Sequence, residues 1–493
     1  MINSIQYFCQ NGVKKLEKVM VNYSDDMTKI AELVQGVTKG VVDLGLSIIA
    51  EEWESYDELL RNRKDLRSEW YIVRRDETTL LTSLGSVTYH KTLFKNKFTG
   101  EHEYLLDRIM GIEKHARMTE DAEAKLLEEA VQSSYRKGGE NVSITEEVVS
   151  KETVMNKIHV LQFPKAKPQP EKKLLKYLYI DADEDHVSLQ YINEKGDITK
   201  PRTNTIMPKL IYVYEGIINE NGRNILINRR YFGGVYEGGN EIEALWKEVS
   251  EYIEESYDVD ALIKIYINGD GASWIKSGQK LLRKAKFVLD RFHMHKYIIG
   301  ATSHLLDSVE DARSEIYRAI RKQKKGQAEE VFEKILEVTE SESKAKTVEA
   351  AKTYILGNWP GIMQQVKDKN KEVKCSAEGH ISHVLSDRMS SRPLGWSKVG
   401  ADKMSRLRIY KKNGGDMLEL VRFQKKELAM AAGCEEVIFS SKQMFAMERK
   451  NRKSLGELAD VPVYSIPYPQ IKKIAARKVC LLFSVFYFPG FLQ

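Results

Sequence analysis

Three stretches of the 493-residue chain carry acids where a metal-dependent reaction would need them. In Tyr177 to Asp183 the alternation of a strand puts Tyr177, Tyr179, Asp181 and Asp183 on one face and Leu178, Ile180 and Ala182 on the other. Ile263 to Ile267 reads as an apolar strand that runs into Asn268, Gly269, Asp270 and Gly271, so another acid stands where a neighbouring strand ends. Acids at the ends of adjacent strands raise one another's pKa, and a cation relieves that cost. Hard carboxylate oxygens suit Mg2+ or Mn2+, and two such ions about 3.5–4 Å apart activate an attacking oxygen while stabilising a leaving one, which is phosphodiester chemistry. A third acid is expected from a helix. Glu378, in KCSAEGHISHVLSDRMSSRP, opens a helical pattern with Ile381, Val384 and Leu385. Taken singly, each Asp suits a turn or strand-end cap, and Glu378 suits a helix N-terminus; the combination points to a metal. His380 and His383 stand three apart, but no Cys or third His falls at zinc spacing.

The elements that must position these acids follow from periodicity. After QFPKAKPQPEKK (162–173), a linker by its prolines and lysines, come strands KYLYIDAD, HVSLQYI and KLIYVYEG, a helix over Glu241 to Tyr257 and strand IKIYING. A helix over Trp274 to Leu282 and strand KFVLD follow. This order predicts an α/β ribonuclease H-like catalytic domain over 174–302 and 371–400, with an all-helical insertion over 303–370. The N-terminal region, 1–118, reads as mainly helical, with apolar residues at Ile30, Leu33, Val34, Val37, Val41, Leu44 and Ile48 and a small β element between Thr78 and Leu106. In 119–161 a helix over Thr119 to Tyr135, a break at Gly138 and Gly139 and the stretch SITEEVVSKETVMNKIHVL read as a helix-turn-helix. Ser150 is its expected cap, with Thr153 behind it, and Val154, Ile158 and Val160 are expected to face inward. Such a helix offers its first residues, Ser150, Lys151 and Thr153, to a DNA groove, although the same pattern also suits a packed helical hairpin.

Composition sets the frame. With 42% hydrophobic and 30% charged residues the chain has material for several cores, and a net charge of +6 permits a polyanionic partner without demanding one. Cys9, Cys375, Cys434 and Cys480 form no C-x-x-C pair, which indicates neither a disulfide framework nor a structural zinc site and fits a reducing cytoplasm. The start lacks the pattern of a secretory signal. The region 401–493 is basic and ends in an apolar run, Val479 to Leu492, that is too short for a bilayer and broken by Pro489; it reads as a packed terminal segment or an altered frame, so a membrane role is not expected. Arg388, Ser390, Ser391, Arg392 and Trp396 form a basic and hydroxyl set able to hold phosphates, with Trp396 able to stack on an unpaired base. The runs Arg406 to Lys412 and Arg449 to Lys453 are candidates for following a DNA backbone.

The stretches ADEDHVSLQ, INGDGASWI, FVLDRFHMHKY and AEGHISHVLSDRMSSRPLGWS resemble the ISLre-type insertion-sequence transposases, relatives of the Mutator-like group, along nearly the whole chain. The resemblance implies a DDE enzyme with Asp270 and Glu378 as the second and third metal-holding acids. An Asp followed four residues later by Val selects Asp183, before Val187, as the first, with Asp181 as its substitute. The D-x-x-H of Asp290 to His293 implies that His293 organises the site or touches DNA. Two Mg2+ or Mn2+ ions, no small-molecule cofactor, double-stranded DNA as terminal inverted repeats and target, and a homo-oligomer assembled on DNA in the bacterial cytoplasm, associated with the nucleoid, complete the expectation. The rivals are a structure-specific nuclease on the same fold and a helix-turn-helix regulator without catalysis.

Overall fold

A computed structural model describes residues 3–191, 204–368, 377–391 and 395–431. The chain divides into two compact units, one built on Met1–Thr119 and the other on Glu120–Cys434.

In the first unit helix Val13–Asp25 packs on helix Ile30–Asn62, which by length and composition alone could cross a bilayer. A three-stranded antiparallel sheet follows: β1 (Trp70–Leu81), β2 (Ser86–Asn96) and β3 (His102–Tyr104). Leu59, Leu60, Trp70, Leu80, Val87, Phe94 and Leu106 form its core. Two expectations are corrected. The sheet begins at Trp70 rather than Thr78, and EHEYLLD keeps only three strand residues before helix Leu105–Met110, because burying Leu105 and Leu106 together needs a helical turn.

The second unit opens with helices Glu120–Ala130, Tyr135–Glu140 and Lys151–His159. Ser150 caps the third, accepting the Thr153 backbone N–H at 3.2 Å, and Val154 and Ile158 are fully buried as expected. Val160 is not: it lies past the last turn and is 72% exposed. Gly138 and Gly139 do not break a helix either; they are buried inside Tyr135–Glu140, and the break falls in the segment after it.

The strands here are β4 (Tyr177–Glu184), β5 (Val187–Ser188), β6 (Thr205–Ile206), β7 (Lys209–Tyr214), β8 (Gly216–Glu220), β9 (Arg223–Ile227), β10 (Arg230–Gly234), β11 (Lys264–Gly269) and β12 (Ala285–Leu289). Five form one mixed sheet in the order β10-β7-β4-β11-β12, with β4, β7 and β10 antiparallel and β11 and β12 parallel to β4. HVSLQYI was expected to be the second strand of this sheet. Among its described residues, strand β5 covers Val187 and Ser188, which pair with β6 instead, and Leu189 makes a single bridge to Trp396. The third member is β10, reached through the β8–β9 hairpin, whose turn at Asn221 and Gly222 has positive φ at both residues, 50° and 79°.

One face of the sheet is apolar. Leu178, Ile180 and Ala182 of β4, with Ile211, Val213, Ile265 and Ile267, meet Leu245, Trp246 and Val249 of helix Gly239–Ser256 and Trp274 and Ile275 of helix Ser273–Leu281. Trp246 donates its indole N–H to the Trp274 carbonyl at 2.8 Å, so the largest buried ring leaves no donor unmet. The segment read as an all-helical insertion holds helices Val309–Arg321, Lys325–Glu337, Glu342–Gly357 and Trp359–Lys367, whose apolar sides join the same core.

Candidate active site

The opposite face of the sheet carries tyrosines and acids. Tyr179 stacks between Tyr214 and Tyr266, with ring centroids 5.6 and 5.4 Å away, and Tyr212 packs against Tyr214 and Tyr231. Register places Asp181 between Tyr212 of β7 and Asn268 of β11. Asp181 is fully buried and accepts hydrogen bonds from Tyr212 Oη at 2.7 Å, Tyr214 Oη at 3.1 Å and Asn268 Nδ2 at 2.6 Å. Its oxygens are committed to the fold.

Asp183 lies two residues on, toward the strand end, opposite Leu210 rather than a tyrosine. Among the described residues its donor is the Glu184 backbone N–H at 2.9 Å. Burial pushes its pKa up to about 6, the Asp270 charge pushes the same way, and the Glu184 N–H and His293 oppose them. Asp270 reaches this position because β11 ends at Gly269, where a Cβ would stand 2.9 Å from the Ala182 carbonyl. Only glycine lets the two strand ends approach so closely. The chain then turns at Gly271 with φ 95°, against the Asn358 side chain. The Ala272 N–H fixes Asp270 Oδ1 at 2.9 Å, and the Tyr354 hydroxyl donates to the Asp270 carbonyl.

His293 completes the described cluster. Asp290 caps helix Arg291–Thr302 through the Phe292 N–H, and its second oxygen accepts from His293 Nδ1 at 3.0 Å. The Asp290 hydrogen bond raises the His293 pKa, burial opposes that rise, and the charges of Asp290, Asp183 and Asp270 reinforce it. The D-x-x-H spacing is therefore a cap and an orienting carboxylate in one turn of helix.

Glu378 lies in helix Ala377–Ile381, which packs beside β4; its side chain falls outside the described residues. Among the described residues no group of three or more His, Cys, Asp or Glu side chains is gathered tightly enough to hold a metal ion. The donor set nevertheless fits a hard divalent cation in chemical character: two carboxylates on adjacent parallel strand ends, one of them held by its surroundings in a state that ionises reluctantly. His380 and His383 do not act together. His380 Nδ1 meets the Tyr231 hydroxyl at 2.6 Å and its ring packs on Tyr212, whereas His383 is exposed beside Asp387. The π-type turn Ser382–Ser386 separates their directions.

The expected DNA contacts divide. Ser150 and Lys151 are exposed at the start of helix Lys151–His159, with Thr153 half-buried behind them. Arg388 and Trp396 need correcting: both are buried. The Trp396 indole N–H donates to the Met389 carbonyl at 3.0 Å, and the Arg388 guanidinium lies 4.9 Å over its ring, so this indole packs the interior rather than standing ready for a base. Lys151, Arg388 and Trp396 do line one cavity of about 390 Å³, together with Tyr135, His159 and Gln190. In the run Arg406 to Lys412, Arg408 is buried and donates to the carbonyls of Val131, His383 and Val384, while Arg406 pairs with Asp402 at 2.7 Å; these cations serve packing, not a DNA backbone. Arg392, Arg449 to Lys453 and the apolar run Val479 to Leu492 lie outside the described residues.

Sequence reasoning did not find the partners of Asp181, the His380 contacts, or Asp185, a buried acid just past β4 that accepts the Ser390 hydroxyl at 2.9 Å. The alternation that put Asp181 on the tyrosine face was the signal for the first of these.

Residues 23–427 match the model of a family described as an uncharacterised protein family, UPF0236. The chain belongs to the UPF0236 family. Two UPF0236 proteins of Caldanaerobacter subterraneus subsp. tengcongensis are each 38% identical over 423 residues, covering 85% of this chain and 86% and 82% of their own lengths. A third from the same strain, 38% identical over 414 residues, covers 83% of this chain and 84% of its own; its name joins eleven numbered designations. Among solved structures, this UPF0236 chain is similar to a chain of the Drosophila P element transposase strand transfer complex, at 8% identity and a TM-score of 0.24, covering 70% of this chain and 94% of that one. A TM-score of that size is too low to read a shared fold from.

Proposed function

We propose that this UPF0236 chain is a DDE transposase of the ISLre type, which cuts the DNA ends of an insertion sequence and joins them to a target. The observation that carries the reading is the pairing of Asp183 and Asp270 at the ends of adjacent parallel strands β4 and β11. The sheet order β10-β7-β4-β11-β12, three antiparallel strands followed by two parallel ones, suits a ribonuclease H-like catalytic domain. In that reading the helix bearing Glu378, packed beside β4, brings the third acid. The eleven designations joined in one relative's name are what a gene repeated within one genome would give, and repetition suits a mobile element.

Asp183, Asp270 and Glu378 would hold Mg2+ or Mn2+, which supplies Lewis-acid polarisation of the phosphodiester and neutralises the charge of the displacement. The chain's own residues do the rest. Asp270 is aimed by the Ala272 N–H and by the Gly271 turn. His293, oriented by Asp290, holds a proton near the two acids and offers a cationic contact to a phosphate. Water is the nucleophile for cutting and a DNA 3′-hydroxyl for joining, so no side chain forms a covalent bond to DNA. Lys151, exposed at a helix start, is the described candidate for phosphate contact outside the acid cluster, and phosphate contacts make end binding fall with salt.

The test uses the full chain, Mg2+, a labelled DNA fragment carrying the sequences that flank its gene, and a target plasmid. Cleavage at the flanks followed by covalent joining to the plasmid is the expected result. Cutting without joining would support the structure-specific nuclease, and retained cleavage in Asp270→Asn with normal DNA binding would remove the acids from the mechanism.

A further inference from the structure

We propose that the hairpin of helices Val13–Asp25 and Ile30–Asn62 is a self-association surface, whose partner is the same hairpin of a second copy of this chain. The proposal stands on the first unit alone and does not depend on the acids of the second. Along helix Ile30–Asn62 the apolar residues Ile30, Val34, Val37 and Val41 follow one another at spacings of four, three and four. That spacing keeps them within an arc of about 60° on the helix surface. Together with Val13 and Met20 of helix Val13–Asp25, each is 38–58% exposed. Six such side chains on two neighbouring helices form a patch, unlike the scattered single apolar residues normal on a protein surface.

The packing between the helices puts the six on one side. The helices run antiparallel and close together: a Cβ on Gly36 would stand 2.7 Å from Val19, and one on Gly40 would stand 2.8 Å from Leu16. These four residues mark the seam inside the hairpin. In helix Ile30–Asn62 the stripe lies roughly a quarter turn from Gly36 and Gly40, in the direction the helix winds. Val13 and Met20 lie roughly a quarter turn from Leu16 and Val19 in the same direction on their own helix. On antiparallel helices, equal rotations in the winding direction arrive at the same side. The hairpin therefore has one apolar side, and exposed Lys39 falls on the other.

A second copy fits this side better than a lipid surface does. Helices that lie in a bilayer interface bring Trp, Phe and Leu to their apolar face, and none of the six is aromatic or Leu. Two hairpins related by a two-fold axis make a four-helix bundle. In such a bundle the three-and-four spacing keeps a stripe facing its partner, and β-branched residues such as Ile30, Val34, Val37 and Val41 suit the seam. The area is adequate as well. A side about 20–28 Å long and two helices wide offers roughly 500 Å² from each copy, and the resulting total of about 1,000 Å² is the size at which a specific interface holds.

The experiment is the mass of the full chain in solution without DNA, by sedimentation and light scattering. A dimer that dissociates on dilution is expected. Val34→Glu combined with Val41→Glu should raise its dissociation constant by at least about a hundredfold, since both charges would be buried without partners. The two positions are exposed in the single chain, so the double variant should keep the wild-type far-ultraviolet helical signal. Met20→Lys, on the other helix, should weaken the dimer about tenfold or more and reports even where the double variant unfolds. Lys39→Glu, a charge change on the opposite side, should leave the dimer intact. A monomeric wild type, or a dimer equally tight in the folded Val34→Glu, Val41→Glu and Met20→Lys variants, would overturn the proposal. So would a monomer that binds vesicles of phosphatidylglycerol and phosphatidylethanolamine through the same valines, a result that would give the surface to lipid.

Discussion

Asp181 and Asp183 share one face of one strand, two residues apart, and have opposite surroundings. Two tyrosine hydroxyls and an asparagine amide converge on Asp181 at the centre of the sheet. At the strand end a backbone N–H serves Asp183, burial raises its pKa, and among the charges around it Asp270 is another acid while His293 opposes. Donors gathered around a buried carboxylate serve the fold, since they answer the cost of taking it from water. A carboxylate left facing a like charge keeps that cost, which a cation can later relieve. In the first unit buried Asp57 is likewise met by donors, accepting both the backbone N–H and the hydroxyl of Thr92 at 2.7 Å each.

Substitution should separate the two acids, and the largest effect is expected on catalysis. Asp183→Asn and Asp270→Asn should each lower metal-dependent cleavage of DNA ends by about a thousandfold or more while leaving DNA binding in place. Asp181→Asn, which keeps an acceptor for the tyrosines, should retain measurable cleavage. Loss of cleavage in Asp181→Asn with activity kept in Asp183→Asn would exchange their roles.

On stability the order reverses. Asp181→Ala strands three buried donors and should destabilise the second unit by roughly 2–3 kcal/mol, read as a lower urea midpoint. Asp183→Asn should instead stabilise the metal-free chain. Its folded pKa, about 6, lies above its ordinary value of 3.8, so the folded state holds the proton more tightly. The penalty for ionising it is absent well below the ordinary value of 3.8, grows as pH rises toward 6 and is complete above that. The gain from Asp183→Asn should therefore be near zero at about pH 2–3 and reach roughly 3 kcal/mol at neutral pH. A gain that shrank with rising pH would contradict the assigned surroundings.

Much of this contrast was legible in the sequence, and the limits have physical causes. Alternation in Tyr177 to Asp183 and the apolar run into Asp270 gave β4, β11 and the strand-end acids, because a sheet with one apolar face imposes period two. Helical periodicity gave the helix over 241–257 almost to its ends. The third strand of the main sheet was missed because β10 is five residues with two glycines, and the Asn221-Gly222 turn that announces the β8–β9 hairpin before it went unused. HVSLQYI has strand character, but its register partner is β6, and pairing partners are tertiary facts. Arg388, Trp396 and Arg408 looked like surface groups by residue type; their burial comes from contacts made across sequence, with the Ala130 and Val131 carbonyls and the Tyr135 ring, which no local pattern encodes. Of the choice between Asp181 and Asp183, the sequence shows only that both share a face; the donors that distinguish them come from other strands.

The role proposed for Asp270, holding a divalent cation during DNA cleavage, is tested most directly by the metal dependence of Asp270→Cys. A thiolate ligates Mg2+ poorly and Mn2+ better. End cleavage by Asp270→Cys is expected to be lost with Mg2+ and substantially restored with Mn2+, while the wild type works with both. Equal activity of Asp270→Cys in the two metals, at the wild-type level, would contradict it.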